Sequence, residues 1–494
     1  MAIKLSLFRK KIAENLKALI HGEGLKGRVL QGGAWLGAAS FFEQAIRFSR
    51  NMLLTRLLAP EAFGAMAIVN SATTLLQTTV DVGAREALIQ NPKGGEDSHV
   101  TAAWWMAIGR ASLIYSLIYV SAPLISRFYG NTELTALARI VTLSILFDGA
   151  ISPRAYIAMK EMRFRKWATV NNGGGILGVI VTVILSLFMR DVWALAIGFC
   201  SENAARCVLS YVVCPYRPRL PNSEAIRDLL KFSRGLFGLA LFNLLFSRAD
   251  IFVLGKLYSA AELGLYSMAV YLIQTPAGFL INVMNQTLLP ALSRVQNDNA
   301  RMNRILLQVT SVTLLIGLPA VVFVILCGRS LLILAYGQRY GAVSAALGFA
   351  CCGALFNVLN NQITMAFYAK GLPQLHRRSV ATMAVVVVVL VYPFAKAFGL
   401  WGGQLACLIA VIIGYLLQIE RIRKVTGLKI SQYSNGFPIP LFTSAAIAIP
   451  WFLITRYSHA VRQPVPNIAI GLAAGLLACG LAGAIRFRQP KEAA

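Results

Sequence analysis

Acidic residues are scarce in this chain, 20 Asp and Glu against 47 Lys and Arg in 494 residues. Charged residues of either sign reach only 14%, while hydrophobic residues make up 57% and the mean hydropathy is +0.64. A water-soluble fold with so little charge would be covered in apolar surface, so an ordinary soluble domain is excluded. Histidine is nearly absent too. His21, His99, His376 and His459 all fall at the ends of apolar segments or outside them, with no nucleophile–base pairing, which argues against an enzyme. Eight cysteines, Cys200, Cys207, Cys214, Cys327, Cys351, Cys352, Cys407 and Cys479, show no paired zinc or disulfide spacing and read as small apolar packing residues. The run Gly173-Gly174-Gly175 has no strand before it and no Gly-Lys-Ser/Thr after it, so helix packing explains it better than phosphate cradling. No cofactor and no metal are expected.

What the chain does have is long apolar runs. A membrane helix needs about 20 predominantly apolar residues. Fourteen candidate spans are predicted, near 31–57, 62–90, 99–123, 134–158, 167–188, 191–213, 234–257, 262–290, 304–327, 341–369, 378–397, 400–420, 437–455 and 466–486. The fold class is therefore all-α, a polytopic membrane protein. Residues 1–28 precede the spans as a basic amphipathic helix lying at the interface, with Phe8, Ile12, Leu16 and Ile20 on one face. Nothing in this segment reads as a cleaved signal peptide.

The net charge of +27 would suggest nucleic-acid binding in a soluble protein, but the basic residues collect in alternate connections. Arg154 to Lys166, Arg217 to Lys231, Arg294 to Arg304, Arg377 and Arg378, Arg421 to Lys429, and Arg486 to Lys491 fall on one side. That side is cytoplasmic by the positive-inside rule, and an even span number puts both termini there. No nucleic-acid partner is expected.

Residues 215–231 form a polar, proline-containing cytoplasmic linker between an N-lobe at 29–214 (helices 1–6) and a C-lobe at 232–425 (helices 7–12). Residues 426–494 add helices 13 and 14 and a basic tail. A repeat crosses the linker: Phe48-Ser49-Arg50 recurs as Phe246-Ser247-Arg248, and Glu61-Ala62-Phe63-Gly64 is echoed by Glu262-Leu263-Gly264. The offset of about six spans makes the two copies parallel, as in carriers that rock two lobes around a central site.

Polar residues within the spans give the functional signal. An ionisable group at mid-membrane costs at least about 2.5 to 3.5 kcal/mol, so each calls for a protein interior or water. Glu43, Arg47 and Arg50 share a face of the first helix; Thr74, Gln77, Asp81 and Arg85 form a stripe on the second. Arg110, Asp148, and Glu202 with Arg206 follow in the third, fourth and sixth. Further stripes are Asn243, Ser247 and Asp250 with Arg248 beside them, Tyr271, Gln274, Asn282 and Asn285, and Asn357, Asn361, Thr364 and Tyr368. Acid–base pairs one turn apart are able simply to neutralise each other, but a hydrated cavity between the lobes accounts for all the stripes together. The candidate substrate-binding residues are Arg47, Arg50, Arg110, Arg206 and Arg248, whose guanidinium groups match phosphate oxygens bidentately. Glu43, Asp81, Glu202 and Asp250 are candidates for ion coupling, an alternative to pure ion pairing. Pro153, Pro276 with Gly278, and Pro319 mark places where helices are expected to bend.

The stretch LLTRLLAPEAFGAMAIVNSATTLLQTTVDVGAREALIQ, residues 53–90, resembles the start of bacterial polysaccharide transporters of the oligosaccharide flippase family. That family sits within the multidrug/oligosaccharidyl-lipid/polysaccharide exporter superfamily. The segment SRADIFVLGKLYSAAELGLYSMAVYLIQTPAGFL, residues 247–280, resembles its second-half counterpart, with an Arg-x-Asp and a Leu-Gly-x-Tyr. The likeness is closest to colanic-acid-type exporters. It implies a flippase of the bacterial inner membrane that moves polyprenyl-diphosphate-linked oligosaccharide by alternating access, with Arg248 and Asp250 as the motif-matched residues. The implied partners are the lipid-linked oligosaccharide, membrane lipids, and the polymerase and glycosyltransferases of the pathway. The rival readings are a cation-coupled multidrug exporter of the same superfamily and a membrane polysaccharide polymerase or ligase.

Overall fold

The computed structural model describes residues 42–80, 88–89, 91–161, 163–220, 223–233, 239–429, 431–432, 438–457, 466 and 468–469. The interfacial helix expected over 1–28, Asp81, Arg85, Cys479 and nearly all of the last expected span lie outside them. Within the described residues the secondary structure is helical throughout. We number the α-helices α1 (42–57), α2 (Pro60–Thr79), α3 (Asp97–Tyr129), α4 (Glu133–Gly149), α5 (Arg154–Lys160), α6 (Phe164–Met189), α7 (Val192–Val213) and α8 (Ser223–Ser233). They continue as α9 (Leu239–Leu257), α10 (Ala260–Ser293), α11 (Asn299–Tyr336), α12 (Ser344–Ala369), α13 (Pro373–Phe398), α14 (Leu400–Thr426) and α15 (Pro438–Tyr457).

Eight of the described helices are long and apolar enough to cross a bilayer: α3, α6, α7, α10, α11, α12, α13 and α14. The count becomes nine if α4 and α5, bent by 59° at Pro153, form one span. This falls short of the expected fourteen. One reason is visible in α9, whose 19 residues include Arg248, Asp250 and Lys256. Pro276 and Pro319, expected as bends, lie inside helices that run on through them. Membrane helices tolerate proline where neighbouring groups satisfy the freed carbonyl.

The chain divides into two compact units, one of residues 1–50 and 76–237, the other of 51–75 and 238–494. In the first, α8 lays Ala225 and Leu229 against Leu88, Val100, Ala102 and Ala103, so the end of the linker is docked. Trp105 donates to the Arg219 carbonyl at 2.8 Å, and Asp97 pairs with both Arg154 at 3.1 Å and Arg219 at 3.3 Å. Cys207 and Cys214 pack among Ile151, Ala155, Ala158 and Trp167, as apolar residues do. The described cysteines are all free thiols.

In the second unit α2 and α10 begin 200 residues apart, at Pro60 and Ala260, and cross at Gly64 and Gly264. A Cβ on Gly64 would stand 1.9 Å from the Ala260 carbonyl oxygen, and one on Gly264 would stand 1.8 Å from that of Pro60. The contact is reciprocal, and only glycine permits it. The acidic residue of the second copy is a helix-start device: Ser259 and Glu262 form a capping box on α10. A core of Met284, Leu288, Leu306, Leu314, Leu359, Ile363 and Phe367 knits α10, α11 and α12 together, joined by Tyr415 and Ile422 of α14.

Candidate functional site

Five of the nine residues singled out in the sequence converge in the first unit. Glu43, Arg47 and Arg50 come from α1, and Glu202 and Arg206 from α7. Both in-helix pairs form: Arg47 to Glu43 at 3.0 Å and Arg206 to Glu202 at 2.8 Å. The helices then exchange partners. Arg47 also donates to Glu202, Arg206 reaches Glu43 at 3.5 Å, and Arg50 lies 3.8 Å from Glu202. Asn171 of α6, which the sequence did not flag, donates its side-chain amide to Glu43 at 3.1 Å and accepts from Arg206 Nε through its carbonyl at 3.3 Å.

Among the described residues the cluster brings three guanidinium groups together with two carboxylates. Glu202 is its buried hub, with its side chain 3% exposed, whereas those of Arg47, Arg50 and Arg206 are 22%, 18% and 19% exposed. A stripe of small residues lets this happen. A Cβ on Gly174 would meet Arg206 Cγ at 2.2 Å, and one on Gly178 would meet Glu202 Cβ at 2.3 Å. One turn on, Thr182 sits against Gly198. Glycines of α6 thus bring α7 close enough for its Glu and Arg to reach α1. Arg110 is half-buried on α3, away from this glycine stripe in sequence.

The stripes of α9, α10 and α12 line a different feature. Asn243, Ser247, Asp250, Gln274, Asn285, Asn357, Asn361, Thr364 and Tyr368 border a cavity of about 460 Å³ within the second unit. Asn360, His376, Gln404 and Gln418, absent from the sequence reading, border it as well. No Lys or Arg is among the described lining residues, so this cavity is amide-rich, with Asp250 as the acidic residue among them, where the sequence had suggested a cationic lean. Arg248 is half-buried on α9, two residues from Asp250 and so on another side of the helix, and does not line it.

Asp250 is itself consumed by partners. It accepts from the Tyr266 hydroxyl at 2.5 Å, the Gln404 amide at 3.2 Å and the Ile251 backbone N–H at 2.9 Å. Tyr266 is the tyrosine of the Leu-Gly-x-Tyr motif, so the acid of Arg-x-Asp and that tyrosine meet through this hydrogen bond. Among the described residues no group of three His, Cys, Asp or Glu could hold a metal ion.

Residues 53–345, more than half of the sequence, match the model of a polysaccharide biosynthesis protein family. The chain belongs to that family. Its relatives include the teichuronic acid biosynthesis protein TuaB of Bacillus subtilis, 22% identical over 461 residues, covering 91% of this chain and 94% of the relative. Another is the succinoglycan biosynthesis transport protein ExoT of Rhizobium meliloti, 23% identical over 443 residues, covering 87% of this chain and 86% of the relative. Among solved structures, the lipid II flippase MurJ in an inward closed conformation superposes with a TM-score of 0.76 at 16% identity, covering 91% of this chain and 98% of that one. At that identity the likeness speaks to the fold. This family member is a multi-pass helical membrane protein whose fold is like that of the lipid II flippase MurJ.

Proposed function

We propose that this protein is a flippase that moves a polyprenyl-diphosphate-linked oligosaccharide from the cytoplasmic to the outer leaflet of the bacterial inner membrane by alternating access. The product would feed exopolysaccharide or lipopolysaccharide assembly, with polymerase and glycosyltransferases as pathway partners and both termini cytoplasmic. The observation that carries this reading is the Arg47 cluster, in which three partly exposed guanidiniums share two carboxylates.

Arginine's planar fork pairs with carboxylate and phosphate by the same parallel N–H donors. A diphosphate therefore competes with Glu43 and Glu202 for donors that are already in place. When the diphosphate leaves, the carboxylates take the guanidiniums back, so the empty carrier is not left with unpaired buried charge. Such an exchange gives the cluster two arrangements of comparable energy, which a carrier needs if it is to release its cargo. Arg110 and Arg248 belong to the proposed cationic set, and Glu43, Asp81, Glu202 and Asp250 to the proposed coupling set. The lipid tail needs no polar site, since it remains in the bilayer.

The test is complementation of a deletion strain. Arg47→Lys should cut surface polysaccharide at least tenfold and Arg248→Ala should abolish it, both at near-normal membrane levels of the protein, and lipid-linked oligosaccharide should accumulate on the cytoplasmic face. Normal surface polysaccharide from both variants would overturn the cationic-path reading.

A further inference from the structure

The amide-lined cavity of the second unit has polar atoms with nothing to bind. Asn360 is 5% exposed and Gln418 is fully buried, and both border the cavity. The Asn360 amide donates to the Val411 carbonyl at 3.2 Å, yet its Oδ1 has no partner. The Gln418 Oε1 accepts from Thr364 at 3.5 Å, yet its Nε2 has none. Asn360 on α12 and Gln418 on α14 border one space. A buried polar atom left unpaired costs about 1 to 3 kcal/mol.

The chemistry of that space selects the ligand. A volume of about 460 Å³ is within the range of roughly 300 to 1,000 Å³ for small-molecule sites, and equals about fifteen waters at about 30 Å³ each. It far exceeds one bridging water. An anion would find no described Lys or Arg there, and an organic cation would find only Asp250, whose oxygens already accept from Tyr266, Gln404 and Ile251. A hydroxyl-rich neutral molecule meets the demand, because each hydroxyl donates once and accepts twice. Eight carboxamides around the cavity offer both kinds of partner. Tyr368 adds a flat apolar surface, its ring held edge-on to His376 with centroids 5.6 Å apart.

We infer that this cavity is a glycan subsite that takes uncharged sugar rings of the cargo. The inference rests on the flippase reading and assigns the cargo's hydroxyls to this cavity.

The experiment uses the full chain in lipid nanodiscs, with two probes read by calorimetry. One is the neutral oligosaccharide released by mild acid from the native strain's own surface polysaccharide, free of lipid and phosphate. The other is inorganic pyrophosphate. Asn360→Leu and Gln418→Met should each weaken oligosaccharide binding tenfold or more and leave pyrophosphate binding within twofold. Arg47→Gln should do the reverse. A thermal midpoint unchanged from wild type, together with retained pyrophosphate binding, certifies that the cavity variants are folded. If the wild type fails to bind the oligosaccharide, or both cavity variants bind it normally, the glycan subsite is wrong and the flippase reading stands. If organic cations such as ethidium bind in the cavity instead, the subsite is wrong as well. Failure of the wild type to restore polysaccharide in a deletion strain sinks the flippase reading itself.

Discussion

Glu202 pairs with three guanidiniums from a side chain that is almost wholly buried. Removing one member of such a network costs more than the pair contributes, because charges are left behind without a counter-ion. Glu202→Ala should therefore destabilise the protein by about 3 kcal/mol or more, lowering both its membrane level and its thermal midpoint in detergent. An unaltered midpoint would mean that Glu43 alone neutralises the three arginines. Arg47→Lys probes function with less damage: an ammonium keeps the charge but loses the fork that spans Glu43 and Glu202. We expect near-normal protein levels and at least a tenfold drop in surface polysaccharide, measured by complementation. The pairs Glu43/Arg47 and Glu202/Arg206 were legible in the sequence because they lie one helical turn apart. Asn171, Gln404 and Gln418 were not, since single amides carry no periodic signal and meet their partners only through tertiary packing.

Helix α6 shows how an element without any charged residue in the cluster still sets its geometry. Gly174 and Gly178 lie one turn apart and face Arg206 and Glu202 of α7 at distances no side chain would fit. The glycine run of the sequence was read as packing, and Gly174 gives it physical content: a methyl there would stand 2.9 Å from the Arg206 backbone nitrogen, so α7 would have to move away from α6. Gly178→Ala brings a Cβ to 2.3 Å from Glu202 Cβ and 2.8 Å from its Cα, so backbone has to shift. A loss of about 1 to 3 kcal/mol is expected, seen as a lower thermal midpoint together with weaker pyrophosphate binding. Gly109→Ala on α3 is the control, since nothing lies within 4 Å of its added Cβ, and helix propensity alone should stabilise it by up to about 1 kcal/mol. Equal behaviour of the two variants would contradict the close-packing account. Apolar length located some of these helices to within a few residues, as α7 at Val192–Val213 against an expected 191–213 illustrates, while α11 runs to Tyr336, well past the expected 327. The span expected at 234–257 is α9, Leu239–Leu257, whose three charged residues keep it out of the helices apolar enough to cross by composition alone.

At the scale of the molecule, two sequence patterns govern architecture. The first is the 200-residue repeat. It was visible only as a tripeptide and a Glu near Gly, yet Pro60 and Ala260 open the matching helices and Gly64 meets Gly264 in a reciprocal crossing. The second is the alternation of basic connections, and it makes a prediction for every described loop. Lys160, Arg163, Arg165 and Lys166 surround the turn between α5 and α6; Arg217 and Arg219 follow α7; Arg294, Arg301 and Arg304 flank the turn between α10 and α11. The turns between α3 and α4 and between α11 and α12 contain far less positive charge, with Arg127 and Arg339 as examples. Positive loops resist translocation, so the first set should be cytoplasmic and the second set periplasmic. Single cysteines placed in a background whose eight native cysteines are replaced by alanine make this measurable. Glu133→Cys and Gln338→Cys should react with a membrane-impermeant maleimide in intact spheroplasts, since both positions are exposed. Arg219→Cys and Gln296→Cys, also exposed, should react only after the membrane is opened. The inverse pattern would reverse the orientation, and with it the direction in which a diphosphate-linked cargo could be loaded from the cytoplasm.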